Sequence, residues 1–224
     1  INGIMGMLEV LKYTNLSEEQ TKYLKSIHIS ADNLLEIVED ILDISKLEQG
    51  KIDLKELNFD IRKEINSLYE CFKLNAEKKG LKFTVNIDNE IPNYFCGDIG
   101  KIRQILNNFL SNSIKFTEKG EICIRLERKS IQDNIFKILF EISDTGIGIK
   151  SNEGKMIFEP FFQGNISYTK KNNGLGLGLA ITKKLAEAIN GKISVESKEG
   201  VGTKFLLELD LKKKLPSSSV LNIY

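Results

Sequence analysis

The hydrophobic periodicity of the chain changes near residue 50 and divides the sequence into two structural regimes. Before this point, Ile1, Ile4, Leu8 and Leu11 follow the 3-4 spacing of one helix face. After it, stretches of alternating apolar and polar residues lie between helical stretches. Alternation with a period of two is typical of strands, whereas 3-4 spacing is typical of amphipathic helices. The sequence therefore predicts a helical region followed by a mixed α and β domain.

Residues 1–48 are predicted to form a helical hairpin. A break at 14–16 separates the helices, and Ser17 with Gln20 forms a capping box for the second helix. That helix has an apolar face wider than one short partner helix can cover. The apolar positions of this face are Leu24, Ile27, Leu34, Leu35, Ile37, Val38, Ile41, Leu42 and Ile44. We therefore expect residues 1–50 to form a four-helix bundle with a second copy; the alternative is a hairpin packed on its own domain.

The pattern beyond a connector at residues 51–58 predicts a two-layer α/β sandwich over residues 59–212. Its helices should lie on one side of a mostly antiparallel sheet. We predict helices at 61–79, 98–116 and 175–189, and strands at 81–87, 121–128, 136–143, 192–197 and 203–211. The overall fold class is α+β, and residues 213–224 are a tail or linker.

Composition narrows the classes of function. With 32 basic and 31 acidic side chains the net charge is +1, so no global field attracts nucleic acid. The cysteines Cys71, Cys96 and Cys123 are far apart and lack a Cys-x-x-Cys spacing, which argues against disulfides and zinc and favours a reducing compartment. No apolar run approaches the roughly 20 residues of a membrane span. Because the sequence begins in mid-helix, we expect a cytoplasmic fragment of a longer protein, whose membrane anchoring stays open.

The predicted helix at 98–116 carries two chemically different faces. Asn108, Asn112 and Lys115 share one face through their i, i+4 and i+7 spacing. Amide oxygens suit Mg²⁺, which keeps several waters and is shared with substrate phosphates, and a lysine can meet a phosphate as a point charge. Alone, this pattern also fits a solvated polar face. The apolar stripe that should pack on the sheet is Ile102, Ile105, Leu106, Phe109 and Leu110.

A second motif, Asp-Thr-Gly-Ile-Gly at 144–148, follows a predicted strand. Its glycines, Gly146 and Gly148, permit a tight turn and a close approach of the backbone to a ligand. The carboxylate of Asp144 can accept a hydrogen bond from the exocyclic amine of adenine. Asp-Thr-Gly also occurs in aspartic proteases, but their carboxylate dyad needs a second such triplet, which the sequence lacks.

A third motif, Gly-Leu-Gly-Leu-Gly-Leu at 174–179, opens a predicted helix. Its glycines leave backbone amides near a helix N-terminus accessible to phosphate oxygens. It is not a Walker A loop, because no Gly-Lys-Ser/Thr follows, and no βαβ unit surrounds it as in a Rossmann turn. Apolar residues 157–162 and polar residues 164–173 before it have the composition of a lid on a hydrophobic anchor. We expect at least two of the phenylalanines in that anchor to pack in the core.

With these motifs in this order, the sequence resembles the sensor histidine kinases of two-component systems, in the style of the hybrid kinases. Residues 108–116 resemble the N box, 144–148 the G1 box, 158–162 the F box and 174–179 the G2 box of an ATP-binding domain with the Bergerat or GHKL fold. Residues 2–7 and 40–48 resemble the helices of a dimerisation and histidine-phosphotransfer domain. The resemblance implies a protein-histidine kinase that uses ATP and Mg²⁺ and forms a homodimer through its N-terminal helices.

The resemblance also implies roles for individual residues. Asn112 would coordinate Mg²⁺, with Asn108 assisting. Lys115 would contact phosphate, Phe116 would flank the nucleotide, and Asp144 would bind adenine. The full set of implied ATP-binding residues is Asn108, Asn112, Lys115, Phe116, Asp144, Gly146, Gly148, Ile149, Phe161, Gly174, Leu175, Gly176, Leu177, Gly178 and Thr203.

One position within the motifs favours phosphoryl transfer over hydrolysis. By the resemblance, ATP-hydrolysing relatives such as gyrase and the HSP90 chaperones carry a glutamate at the position of Asn108, and that glutamate activates water. An amide cannot act as this base, so we expect slow hydrolysis. Two alternatives stay open: a GHKL-type ATPase or chaperone, and a scaffold whose nucleotide pocket has degenerated.

The phosphoacceptor histidine of the family would lie upstream of Ile1, so we assign no catalytic residue within this sequence. The phosphoryl group would pass on to an aspartate in a response-regulator receiver domain, separate or fused C-terminally. The single histidine, His28, lies on the second predicted helix and outside its apolar seam. We predict that it is a surface or flanking residue without an acidic neighbour to orient it.

Overall fold

The computed structural model describes residues 2–48, 54–151, 153–154, 156–163 and 176–214. The N-terminal hairpin consists of α1 (Asn2–Lys12) and α2 (Glu18–Glu48). At the start of α2, the Ser17 backbone N–H donates to Gln20 Oε1 at 2.8 Å, and the Gln20 N–H donates to Ser17 Oγ at 3.2 Å. This reciprocal pair confirms the predicted capping box.

Within one chain, the hairpin covers only part of its apolar surface. Leu8, Leu24 and Ala31 form a small buried cluster between the two helices. Ile27 and Leu34, which belong to the predicted seam, remain exposed. The other exposed apolar side chains of α1 and α2 include Ile4, Met7, Val10, Leu11, Ile29 and Val38. The predicted seam positions Ile37, Ile41, Leu42 and Ile44 have side chains outside the described set.

The second region is a sheet with helices on one side. Its elements are β1 (Leu57–Asp60), α3 (Ile61–Lys78), β2 (Lys82–Ile87), β3 (Tyr94–Gly97), α4 (Ile99–Phe116), β4 (Glu121–Gln132), β5 (Ile135–Asp144), α5 (Gly178–Ala188), β6 (Lys192–Lys198) and β7 (Gly202–Lys213), with a short 3₁₀ helix at Met156–Phe158. The strand order is β1-β3-β7-β5-β4-β2, and β6 also pairs with β7. Among the described strands, only β2 and β4 pair in parallel. The predicted α/β sandwich is thus confirmed.

Two aspartates fix where the helices of this region begin. Asp60 Oδ1 accepts hydrogen bonds from the backbone N–H groups of Arg62 and Lys63 at 3.0 and 3.2 Å. Asp98 Oδ1 accepts from the Lys101 N–H at 3.0 Å. Each carboxylate satisfies donors that have no partner inside the helix, which explains the sharp starts of α3 and α4.

Helix α4 packs on the centre of the sheet through the predicted apolar stripe. All five residues of this stripe are buried. Phe109 stacks on Phe205 of β7, with the ring centroids 4.9 Å apart and the planes 14° from parallel. Because the stripe is held by the core, Asn108 and Asn112 lie on a different face of α4, and Asn108 is turned toward α5.

The structure differs from the predicted elements in two places, and it adds a contact between the two regions. Strands β1 and β3 were not predicted, and Leu57 and Asn58 of the predicted connector pair with Gly97 and Cys96. Helix α5 begins at Gly178 rather than at 175, with Leu177 as its N-cap residue. The backbone of α2 also approaches α5, so the hairpin is not isolated from the second region.

Candidate functional site

Asp144 lies at the end of β5, next to α4 and the start of β7. The Ser113 hydroxyl donates to Asp144 Oδ2 at 2.8 Å, and the Gly146 N–H donates to Oδ1 at 2.9 Å. Burial raises the pKa of the Asp144 carboxyl above its ordinary value, while the hydrogen bonds from Gly146 and Ser113 act in the opposite direction. Besides these two donors, the Thr203 backbone and the Thr117 hydroxyl also lower the pKa of this carboxyl, so Asp144 is held as an acceptor in a partly desolvated position.

The turn after Asp144 leaves no room for a side chain at either of its two glycines. A Cβ at Gly146 would overlap the Phe116 carbonyl. Gly148 has φ +68°, and a Cβ there would overlap the Lys198 carbonyl. These contacts confirm the predicted tight turn, and they pack it between the end of α4 and the end of β6.

One serine that carries no recognised motif supports two of the predicted site residues. Ser197 Oγ accepts a hydrogen bond from the Ile149 N–H at 2.8 Å and donates to the Gly202 carbonyl at 2.8 Å. The Thr203 hydroxyl lies 3.0 Å from the same Ser197 oxygen. Because the Ser197 proton goes to a carbonyl, the Thr203 hydroxyl is the donor in that contact. Ser197 thus fixes both the G1 turn and the start of β7.

The two asparagines of α4 bond to each other and to α5. Asn112 Nδ2 donates to Asn108 Oδ1 at 2.9 Å and to the Asn108 carbonyl at 2.9 Å. Asn108 Nδ2 donates to Thr182 Oγ1 at 2.5 Å, and the Thr182 hydroxyl donates to the Gly178 carbonyl at 2.8 Å. This face of α4 therefore meets the first turn of α5 and is not simply solvated.

Lys115 and Phe116 end α4 next to these amides. Lys115 Nζ lies 5.3 Å from the centroid of the Phe116 ring, which is within the range of a cation–π contact. Both side chains are half-buried. The ammonium is therefore held near the site at the end of the helix that carries Asn108 and Asn112.

The start of α5 is described only from Gly176, so the predicted residues Gly174 and Leu175 lie outside the described residues. Leu177 is only 1% exposed and its side chain packs in the core, so only its backbone can face a ligand. No side chain of the described residues caps this helix N-terminus. An uncapped helix N-terminus of this kind is the sort of position where backbone amides can bind an anion.

The anchor segment before the lid differs from the prediction that at least two of its phenylalanines pack in the core. Phe158 and Phe162 are half-buried, and Phe161 is 70% exposed with φ +63°. Ile157 packs against the core instead. The Phe161 N–H donates to the Gly176 carbonyl at 3.1 Å, so this segment is tied to the G2 motif by its backbone.

His28 has an acidic neighbour on the other helix of the hairpin. Its Nε2 lies 3.7 Å from Glu9 Oε1 on α1. The hydrogen bond from Lys12 lowers the pKa of Glu9, and His28 adds a smaller effect in the same direction. His28 is half-buried and lies outside the buried cluster of the hairpin, so the predicted flanking position is confirmed. The predicted absence of an acidic neighbour is wrong.

Three sequence expectations concern features outside the nucleotide motifs. None of the three cysteines is paired in a disulfide. In the described ranges, no group of three or more His, Cys, Asp or Glu side chains is arranged to hold a metal ion. Where the structure describes the chain, none of its helices is long and apolar enough to span a membrane.

Two sequence profiles match the chain side by side. The family described as "Histidine kinase-, DNA gyrase B-, and HSP90-like ATPase" matches residues 97–213, and the "His Kinase A (phospho-acceptor) domain" matches residues 1–50. The chain belongs to the sensor histidine kinases. The kinase therefore combines a phosphoacceptor-type helical region with an ATP-binding domain, as the motifs imply.

Curated relatives of the kinase are much longer proteins. "Hybrid signal transduction histidine kinase L" of Dictyostelium discoideum is 42% identical over 220 residues, which cover 98% of this chain and 13% of that protein. "Signal transduction histidine-protein kinase BarA" of Escherichia coli is 36% identical over 211 residues, which cover 94% of this chain and 23% of that protein. The chain thus spans less than a quarter of the length of these relatives.

Solved structures of histidine kinases share the fold. Full-length ShkA in complex with AMPPNP has a TM-score of 0.81 and 31% identity, covering 96% of this chain and 44% of that one. Histidine kinase ThkA in complex with response regulator protein TrrA has a TM-score of 0.64 and 26% identity, covering 92% and 56% of the two chains. The GHKL α/β sandwich of this kinase is therefore shared with relatives of known structure.

Proposed function

We propose that this kinase chain binds Mg-ATP and positions the γ-phosphoryl group for transfer to a histidine nitrogen. The observation that carries the proposal is the environment of Asn108, whose amide is bonded to Asn112 on one side and to Thr182 on the other. A hydrolase needs a base at such a position to take a proton from water, and an amide cannot be that base. Bound ATP would therefore persist until a histidine reaches it.

The adenine end of the nucleotide is assigned to Asp144. Its carboxylate is held by Ser113 and Gly146 in a partly desolvated position, and as an acceptor it complements the exocyclic amine of adenine. A few precisely placed polar groups that fix the orientation of the ligand are typical of such sites. The complex of ShkA with AMPPNP supports the same class of ligand for this chain.

The phosphate end is assigned to Asn112, Lys115 and the start of α5. Because Asn112 Nδ2 faces Asn108, the amide oxygen Oδ1 of Asn112 is left as the acceptor for Mg²⁺. The metal would neutralise charge on the β- and γ-phosphates when bound. Lys115 and the amides at the N-terminus of α5 would hold the remaining phosphate oxygens, and Gly174 and Leu175 stay predicted members of this group.

Transfer in this scheme depends on positioning and charge neutralisation rather than on a covalent enzyme group of the ATP-binding domain. The proposed acceptor is a histidine that precedes Ile1, with onward relay to an aspartate of a response regulator. The ThkA complex with response regulator TrrA supports such a partner. His28 is not proposed as the acceptor, because it lies on α2, the second helix of the hairpin, and not on the first.

A homodimer through α1 and α2 is proposed as the assembled form. Ile27 and Leu34 of α2, together with Ile4 of α1, present apolar side chains that a single chain leaves exposed. Apolar faces of this kind are normally buried against another helix. We place residues 1–50 in this dimerisation unit and residues 59–212 in the ATP-binding unit, both on the cytoplasmic side.

Calorimetric titration with AMPPNP in the presence of Mg²⁺ tests the proposal. We expect one binding site per chain, weakened by Asn112→Ala and unaffected by Asn107→Ala, which alters the exposed neighbouring asparagine on the same helix. Release of phosphate from ATP should be slow. Steady turnover that Asn112→Ala abolishes would instead identify a GHKL-type ATPase, and absence of binding would leave only the scaffold alternative.

A further inference from the structure

Thr182 lies on the second turn of α5, outside every residue assigned above to a nucleotide contact. It is a polar residue that is only 1% exposed. Its hydroxyl makes two hydrogen bonds: it donates to the Gly178 carbonyl at 2.8 Å and accepts from Asn108 Nδ2 at 2.5 Å. The hydroxyl thus both donates and accepts a hydrogen bond. Although Thr182 lies on α5, its accepted hydrogen bond fixes a side chain of α4.

The direction of each hydrogen bond in this group is set by the Gly178 carbonyl. A carbonyl can only accept, so the single proton of the Thr182 hydroxyl is committed to it. The Thr182 oxygen must then accept, which places the NH₂ group of Asn108 toward α5. Asn108 Oδ1 consequently faces Asn112 and takes the hydrogen bond from its Nδ2.

These hydrogen-bond directions also fix the orientation of the Asn112 side-chain amide. With Asn112 Nδ2 used by Asn108, the Asn112 carbonyl oxygen points away from Asn108. Within the part of the chain that the structure describes, no donor is paired with this oxygen. A reversed amide would present NH₂, which carries no lone pair for a cation and would repel it.

Besides its carbonyl, Gly178 matters because it has no side chain next to the Asn108 amide. A Cβ at this residue would lie 3.0 Å from both the nitrogen and the oxygen of the Asn108 amide. A side chain at 178 would therefore crowd this amide, which would have to shift by a few tenths of an ångström. The contact between the N motif and the G2 motif is thus built from Gly178 and Thr182 on one side and Asn108 on the other.

We propose that Thr182 is a positioning residue for the Mg²⁺ site. Its hydroxyl orients the Asn108 amide, which in turn orients the Asn112 oxygen toward the metal. This inference rests on the proposed function, since it assumes that Asn112 meets Mg²⁺ bound with the nucleotide. It also assigns α5 a second task, because the helix that offers its amides to phosphate also fixes the ligand of the metal.

The test compares AMPPNP affinity in EDTA with affinity in excess Mg²⁺, and the ratio of the two dissociation constants is the magnesium gain. Thr182→Val keeps the shape of the side chain but removes the hydroxyl. Loss of one oriented hydrogen bond should lower the magnesium gain about 5-fold, while affinity in EDTA stays at the wild-type value. Thr182→Ser should restore the gain, because it retains the hydroxyl.

The matched control is Thr84→Val on β2. Phe83 and Val85 face the core cluster, so the alternation of the strand directs Thr84 to the other face of the sheet. This variant should keep the wild-type gain. Thr182→Ala serves as a second test if the valine variant does not fold, which a thermal melt will reveal.

Three results would overturn the inference. A folded Thr182→Val or Thr182→Ala variant with the wild-type gain would show that the hydroxyl does not affect the metal. Equal weakening in EDTA and in Mg²⁺ would indicate a general structural role, and a serine variant as impaired as valine would exclude the hydroxyl as the cause. Failure of the wild-type chain to bind AMPPNP in either condition would instead refute the proposed function itself.

Discussion

Replacement of Asp144 by asparagine should change nucleotide affinity and the stability of the folded kinase in opposite directions. Burial raises the pKa of the Asp144 carboxyl, so the folded state holds the proton more tightly than the unfolded chain. The corresponding stability is present below the unfolded-state pKa and is lost as pH rises through the folded-state pKa. At neutral pH the ionised carboxylate therefore opposes folding. Asp144→Asn should maintain or raise the melting temperature of the nucleotide-free kinase.

Nucleotide binding should change in the opposite direction. A hydrogen bond to a charged group contributes about 1.5–3 kcal/mol, so its loss should raise the Kd for AMPPNP about 10- to 150-fold. The Gly146 N–H can only donate, so the new amide oxygen must face it, and the amide nitrogen lies beside Ser113, whose hydroxyl can rotate to accept. Guanine carries a carbonyl where adenine has its amine, so the preference for the adenine analogue over the guanine analogue should narrow.

Calorimetric titrations with both analogues and thermal melts across neutral pH measure these effects together. Asp210→Asn is the matched control, because Asp210 is an exposed aspartate on β7 and should leave affinity and melting temperature unchanged. An unchanged Kd for AMPPNP in Asp144→Asn would refute the adenine assignment. A sharply lower melting temperature would refute the inference that the ionised carboxylate opposes folding.

Further predictions concern the turn, the core and the assembly. Gly148→Ala should lower the free energy of unfolding by about 1–3 kcal/mol, because of the positive φ and the overlap with the Lys198 carbonyl. The loss should exceed that of Gly200→Ala, where φ is +75° but the surrounding space is open. Urea unfolding measures both free energies, and equal losses would contradict the steric argument. Phe109→Ala should cost about 3–5 kcal/mol in the same assay, because the ring is fully buried, and a loss near zero would contradict the packing account. Ile27→Glu should shift the sedimentation of the chain toward monomer, and an undisturbed dimer would show that α2 does not form the interface.

The elements that could be predicted from the sequence are those whose signal is local. The stripe on α4 repeats over about two and a half turns, and every residue of it is buried as its spacing predicts. The capping box at Ser17 depends on residues only three positions apart, and it is present. Strands β1 and β3 have four residues each, which is too short for a visible alternation, and their pairing with each other brings Leu57 to Gly97.

In the site, too, the residues with a local sequence signal could be predicted, and those that act through contacts between distant elements could not. Asp144, Asn108 and Asn112 belong to motifs whose residue types already suggest their chemistry, and the structure brings Asn108 and Asn112 into direct contact. Ser197 and Thr182 support these residues from other elements, and their contacts depend on how β6 and α5 are placed. No spacing in the sequence indicates such contacts. The same holds for His28, whose acidic neighbour Glu9 comes from the other helix of the hairpin.

We propose that this pocket donates a phosphoryl group to histidine rather than to water. The most direct test incubates γ-labelled Mg-ATP with a form of the kinase extended upstream of Ile1 and follows the label. We predict an acid-labile, base-stable phosphoryl group on a histidine of that extension, which Asn112→Ala abolishes and Asn107→Ala preserves. Rapid release of labelled phosphate without any labelled histidine would contradict the account.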